Sequence, residues 1–203
     1  MRALIVVDLQ NDFMPGGPLG VSDARAVIPL ANTLMAKFDL VIATQDWHPP
    51  GHGSFAASHD GKNPYDEIPL HGLPQTLWPT HCVQGTPGAD FVDDLETNRF
   101  SAVVRKGTDP TVDSYSGFAD NGNRIRTGLA GLLTERGVTE VFVCGVATDF
   151  CVRFTAEDAA RSGFSVFLIE DACRGVALTP ESVPNALDAL RAAGVSLTTS
   201  AQV

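Results

Sequence analysis

Six short apolar runs, each closed by a polar residue and separated by helical patterns, constrain this chain more than any other feature. They are Arg2–Val7, Leu40–Thr44, Phe100–Val104, Glu140–Cys144, Phe164–Ile169 and Val195–Thr199. The inner runs are rich in Val and Ile and carry almost no charge, as expected of strands covered on both faces. Between them, apolar residues at helical spacing predict a helix through Ala26, Val27, Leu30, Leu34 and Phe38, with Ser22 or Asp23 as cap and Pro29 as a kink or true start. Further helices are expected over Asn123–Arg136, from Thr148 or Asp149 to Gly163, and over Pro180–Ala193. Strands alternating with helices specify a doubly wound α/β fold: a mainly parallel six-stranded sheet with helices on both faces. The last strand is expected at an edge. Residues 1–203 read as one domain, with no repeat or linker.

In such sheets ligands bind beyond the carboxyl ends of the strands. The chemistry-bearing residues fall at those ends: Asp8 after the first run, Asp46 and His48 after the second, Lys106 after the third and Cys151 after the fourth. The stretch at about 45–99 lacks a long periodic segment and holds Trp47, His48, His52, Phe55, Trp78 and His81. A loop region that long inside a compact domain is usually functional, and its aromatics and histidines argue against simple disorder.

A net charge of -10 argues against nucleic acid or an anionic membrane as partner, since both reward basic patches. No apolar run approaches the roughly 18–20 residues of a transmembrane helix. The first strand pattern follows Met1-Arg2 directly, so no signal peptide is expected. Four cysteines (Cys82, Cys144, Cys151, Cys173) in such a chain suggest free thiols and a cytoplasmic location.

Cys151 is expected in the first turn of a helix that follows a buried strand, where unpaired amides and the helix dipole favour a thiolate. A helix-start cysteine on its own packs more often than it reacts. Asp8 as proton acceptor and Lys106 as charge partner at neighbouring strand ends shift the balance toward a nucleophile. The bland reading makes Asp8 a turn cap and Lys106 a solvated cation. A second cluster suggests a metal site. Asp46 and His48, two apart on an extended chain, point the same way, and His81 supplies a third ligand from across the loop. His52 is a candidate fourth ligand. Cys144 and Cys173 read as packing, and His59 and His71 as ordinary loop residues.

The segments Asp8–Phe13, Thr44–Pro49, Trp78–Gln84, Lys106-Gly107, Tyr115–Phe118 and Gly145–Arg153 together resemble the isochorismatase-like cysteine hydrolase superfamily and, within it, the nicotinamidases or pyrazinamidases. The resemblance implies a Cys151–Asp8–Lys106 triad. It implies a cis peptide before Ala147, with the Ala147 and Cys151 amides as oxyanion hole. It implies Phe13, Trp78 and Tyr115 around the substrate ring, and one divalent ion (zinc first, otherwise iron or manganese) on Asp46, His48 and His81. The expected partner is a small molecule, nicotinamide, hydrolysed to nicotinate and ammonia, with pyrazinamide as a second amide. A homo-oligomer is left open. Asp109–Asp113 receives no role. The competing readings are another cysteine amidohydrolase of the same fold, such as an N-carbamoyl amidase, and a silent scaffold. The metal set counts against the first, the intact triad against the second.

Overall fold

The computed structural model describes all of residues 1–203. Strand β1 (Arg2–Val7) is followed by helix α1 (Val27–Met35) and β2 (Leu40–Asp46); a small hairpin, β3 (Glu67–Leu70) and β4 (Leu73–Thr76), precedes β5 (Ala102–Lys106). Helix α2 (Leu129–Glu135), β6 (Glu140–Val146), α3 (Arg153–Arg161), β7 (Ser165–Arg174), α4 (Ser182–Ala192) and β8 (Ser196–Thr198) complete the chain. The main sheet has six strands in the order β5-β2-β1-β6-β7-β8, and every neighbouring pair is parallel. This is the expected doubly wound architecture, and β8 is the expected edge.

From β1 the chain steps one way to β2 and β5, then returns past β1 to β6 and steps the other way. Right-handed crossovers therefore place α1 on one face and α3 and α4 on the other. The inner strands are buried along nearly their whole length, whereas edge strand β5 alternates between covered and exposed residues. Burial on both faces explains the uncharged Val- and Ile-rich runs. A single cluster of 45 buried residues spans both faces, so one core supports all the strand ends. No helix is long and apolar enough to cross a membrane.

Element boundaries differ from expectation where side chains capture backbone amides. The helix expected over 123–136 begins only at Leu129. Upstream, Asp120 accepts hydrogen bonds from the amides of Gly122, Arg124 and Ile125, holding them in a turn. Neither Ser22 nor Asp23 caps α1: Asp23 is left-handed (φ 59°) ahead of a 3-10 turn, with no side-chain cap bond. Pro29 sits in the first turn of α1, where its missing N–H costs nothing. Strand β7 runs to Arg174, past the expected Ile169, because a bulge opposite Val143–Gly145 lets it continue. The 45–99 region holds the β3–β4 hairpin, whose turn residues His71 and Gly72 both have positive φ (47° and 86°), the geometry of a tight hairpin turn.

Gly145 lies opposite Val7 between the two central strands, at φ 123°. A Cβ there would stand 2.1 Å from the Val7 carbonyl oxygen. Gly145→Ala is expected to cost about 3 kcal/mol or more, measured as a lowered denaturation midpoint. A loss under about 1 kcal/mol would refute this account of the strand contact.

Candidate active site

The carboxyl ends of β1, β2 and β5 bring three charged side chains together in the interior. Asp8 follows β1 with left-handed backbone (φ 49°) and is fully buried. Its Oδ1 accepts the Thr44 hydroxyl at 2.6 Å. Lys106 ends β5 at 2% exposure. Its Nζ donates to Asp46 Oδ1 (2.5 Å), to the Ser114 carbonyl (3.0 Å) and to Cys151 Sγ (3.4 Å). Those bonds use the three ammonium hydrogens. Asp8 Oδ2 lies 2.9 Å from Nζ as an ionic contact and accepts no hydrogen bond. A buried carboxylate oxygen beside a thiol, with no donor of its own, is equipped to take a proton.

Burial pushes the Asp8 carboxyl up and the Asp46 carboxylate adds to the push, while the Lys106 ammonium resists. Burial also works against the charged form of Asp46, yet Lys106 and His48 hold that carboxyl well below the usual range. For Lys106 the two carboxylates overcome burial and keep the ammonium protonated. The thiol departs from expectation. Burial pushes Cys151 well above an ordinary cysteine, Lys106 pulls it down, and Asp8 and Asp46 push it further up. Cys151 lies in a π-turn, Thr148–Val152, ahead of α3. These influences favour the neutral thiol at Cys151 beside the Asp8 carboxyl group.

Thr148 and Asp149 do not cap this turn, contrary to expectation. Asp149 instead accepts the amides of Val176 and Ala177. The Val146–Ala147 peptide is cis. Phe150 and Val152 N–H both donate to the Ala147 carbonyl at 3.0 Å, whereas Ala147 N–H meets no acceptor within the protein.

The other oxygen of Asp46 faces two imidazoles. Oδ2 lies 3.6 Å from His48 Nε2 and 3.7 Å from His81 Nε2. Each ring is fixed through its other nitrogen: His48 Nδ1 to the Gly107 carbonyl at 2.9 Å, His81 Nδ1 to the Pro79 carbonyl at 2.8 Å. A nitrogen that donates to a carbonyl leaves its partner as a lone-pair donor, the usual arrangement behind a metal ligand. His48 Nε2 is buried with no hydrogen-bond partner. These donors fit a divalent ion. His52 fits less well, because Nδ1 meets Ser54 Oγ (2.8 Å) and Nε2 meets the Asp109 carbonyl (2.7 Å). Trp47, between the two ligands in sequence, points the opposite way and stacks under the Arg105 guanidinium at 3.9 Å, as the two-residue period requires.

Phe13, Trp78 and Tyr115 line one cleft together with Cys151, Ala147, Asp46 and His81. Trp78 Nε1 donates to Tyr115 Oη at 3.2 Å. Tyr115 packs on Phe154 of α3, ring centroids 5.4 Å apart, while the Thr155 hydroxyl accepts the Gly117 amide. Four cleft residues escaped the sequence reading: Leu19, Asp113, Phe150 and Val176. Phe150 adjoins the predicted cysteine, and its edge-on contact with Trp78 (4.8 Å) rests on loop folding that no local pattern announces. Asp113, given no role above, is a buried carboxylate on the cleft wall.

The isochorismatase domain model matches residues 2–202. The chain belongs to the isochorismatase family. Within that family it is similar to Escherichia coli K12 nicotinamidase, 47% identical over 98% of this chain and 95% of that protein. It is similar to the solved Acinetobacter baumanii nicotinamidase/pyrazinamidase (TM-score 0.96, 46% identity, covering 99% of this chain and 97% of that one). It is also similar to the Pyrococcus horikoshii pyrazinamidase in complex with zinc (TM-score 0.79, 42% identity, 98% of each chain).

Because its thiol is raised, Cys151 in metal-stripped protein is expected to alkylate slowly at neutral pH, with a rate still climbing past pH 9.0, the ordinary thiol value. Iodoacetamide labelling of the Cys151 peptide, followed by mass spectrometry, measures this. A plateau below pH 7 would refute it.

Proposed function

We propose that this chain is a metal-dependent nicotinamidase, hydrolysing nicotinamide to nicotinate and ammonia and acting on pyrazinamide as a second amide. One observation carries the reading. A single aromatic-lined cleft holds the thiol together with Asp46 and His81, which suits a planar ring whose carboxamide meets the sulfur while its ring nitrogen faces the candidate metal ligands. The similarity to nicotinamidases supports the same substrate.

In the proposed reaction Asp8 Oδ2 takes the Cys151 proton and Lys106, 3.4 Å from Sγ, steadies the thiolate. Sulfur attacks the carboxamide carbon, and the Ala147 and Cys151 amides receive the oxyanion; one such donor is typically worth about 3 kcal/mol. The C–N bond breaks as Asp8 returns its proton to the departing nitrogen, releasing ammonia and leaving a thioester on Cys151. Asp8 then accepts a proton from water, whose oxygen attacks the thioester. The C–S bond breaks as Asp8 returns that proton to Cys151 Sγ, and the acid product loses its remaining proton to water and leaves as nicotinate. Phe13, Trp78 and Tyr115 hold the ring, so that the carboxamide meets sulfur in a reactive orientation. Asp46, His48 and His81 would hold the ion, zinc first and iron or manganese otherwise, which supplies a Lewis-acidic anchor for the pyridine nitrogen. NAD salvage in the cytoplasm is the setting this reading gives the enzyme; four free cysteines are compatible with it.

Ammonia release from nicotinamide tests the activity, and none at any metal loading would sink it. Cys151→Ala is expected to abolish turnover and still bind nicotinamide. His48→Ala is expected to lose the ion in elemental analysis, while His52→Ala retains it; the reverse would overturn the ligand assignment. For the base, kcat/KM is expected to fall as pH drops through the Asp8 pKa, above the 3.8 of an ordinary aspartate. Asp8→Asn should lose about a thousandfold or more in rate, given the combined proton-transfer roles; activity within tenfold of the parent would reject Asp8 as base.

A further inference from the structure

Residues 175–178 follow β7 and form no regular structure, yet Val176 stands on the wall of the Cys151 cleft. One side chain supplies the hydrogen bonds that hold the segment there. Asp149 Oδ1 accepts the Val176 amide at 2.9 Å and Oδ2 accepts the Ala177 amide at 2.8 Å. No other hydrogen bond joins the backbone of residues 175–178 to the protein. Ala177 has φ 53°, a left-handed conformation that a non-glycine residue adopts only when its surroundings impose it. Consecutive amides turned toward one acceptor in this way form an anion-binding nest, and here the anion is the protein's own carboxylate. Packing leaves the segment little freedom on the Gly175 side, where a Cβ would stand 2.3 Å from Val183 Cγ2 and 3.1 Å from Asp149 Oδ1. Asp149 itself is buried two residues before Cys151, in the turn that carries the thiol.

We propose that Asp149 is a positioning residue: by gripping the Val176 and Ala177 amides it fixes Val176 as the side wall of the Cys151 cleft, and through that wall it sets how tightly a planar amide substrate is held. The proposal rests on the nicotinamidase reading for the identity of the ring, but not for the loop contact. Asp149 touches no reacting atom. Its effect falls on binding of the ring and spares the proton transfers at Asp8 and the charge supplied by Lys106.

Three proteins test it with nicotinamide as substrate: Asp149→Asn, Val176→Ala and the double variant. The asparagine keeps the shape of the side chain but has only one oxygen to accept two amides. Each single variant is expected to raise KM about tenfold, with kcat held within about twofold. In the double variant, Asp149→Asn is expected to add no further rise in KM, because the wall it positions is already gone. Hydrogen exchange, read on the same proteins without substrate, is expected to show the Val176 and Ala177 amides protected in the parent and at least tenfold less protected in Asp149→Asn. Independent, multiplying KM effects, a loss carried by kcat, or unchanged amide protection would each overturn the proposal. Should Asp149→Asn not fold, an unchanged KM in Val176→Ala alone would overturn it. Failure of the parent to release ammonia, with exchange behaving as expected, would reject the substrate and leave the loop contact standing.

Discussion

Everything at the strand ends depends on one buried cation. Lys106 has no access to water, and an isolated ammonium in such surroundings would shed its proton. It stays charged because Asp8 and Asp46 lie within 2.9 Å and 2.5 Å of Nζ. The dependence is mutual: removing the lysine would leave two carboxylates side by side in the interior, an arrangement that drives one of them neutral. Asp46 then links two chemistries. Oδ1 binds the lysine that faces the thiol, and Oδ2 faces the two imidazoles. The candidate nucleophile and the candidate metal ligands are therefore one electrostatic unit, and the geometry of either limits the other.

The sheet supplies this unit with little local help. Parallel strands covered on both faces have uncharged interiors, so polar residues collect where each strand leaves the core. That rule makes Asp8, Asp46, His48, Lys106 and Cys151 legible from the sequence as one candidate site; the metal-ligand pattern adds His81, and the motif order adds Phe13, Trp78 and Tyr115. The rule fails for residues whose place depends on a loop finding a distant acceptor. Val176 reaches the cleft from the far end of β7 because Asp149 holds it there. The same carboxylate looked like a helix cap, since Asp just before a helical pattern is a capping residue type. The expected helix over 123–136 fails for the same reason, Asp120 having competed successfully for the amides. Short acidic side chains bind backbone wherever the fold presents it, and sequence spacing does not say which backbone.

The thiol shows a second limit of local reasoning. Position at a helix start argues for a stabilised thiolate, but burial and two neighbouring carboxylates push the thiol upward, against the pull of Lys106. The direction of the shift bears on the role proposed for Asp8. A preformed thiolate would need no base; a neutral thiol beside a carboxylate with an unoccupied oxygen needs that base at each turnover.

The segment Asp8-Leu9-Gln10-Asn11-Asp12 extends the same argument beyond the reacting atoms. Gln10 is fully buried, and its side-chain amide clamps the Asp46 backbone from both sides. Oε1 accepts the Asp46 N–H, while Nε2 donates to the Asp46 and Ala89 carbonyls, each at 2.8 Å. Asp12 accepts the amide of Cys82, the residue after His81, at 2.7 Å. One short stretch after β1 thus provides the candidate base and braces two candidate metal ligands from different loops. Residues two apart on an extended stretch face the same side, so Gln10 and Asp12 reach different partners because the chain turns at Asn11–Phe13. The spacing of the motif is set by these backbone contacts as much as by the chemistry of Asp8.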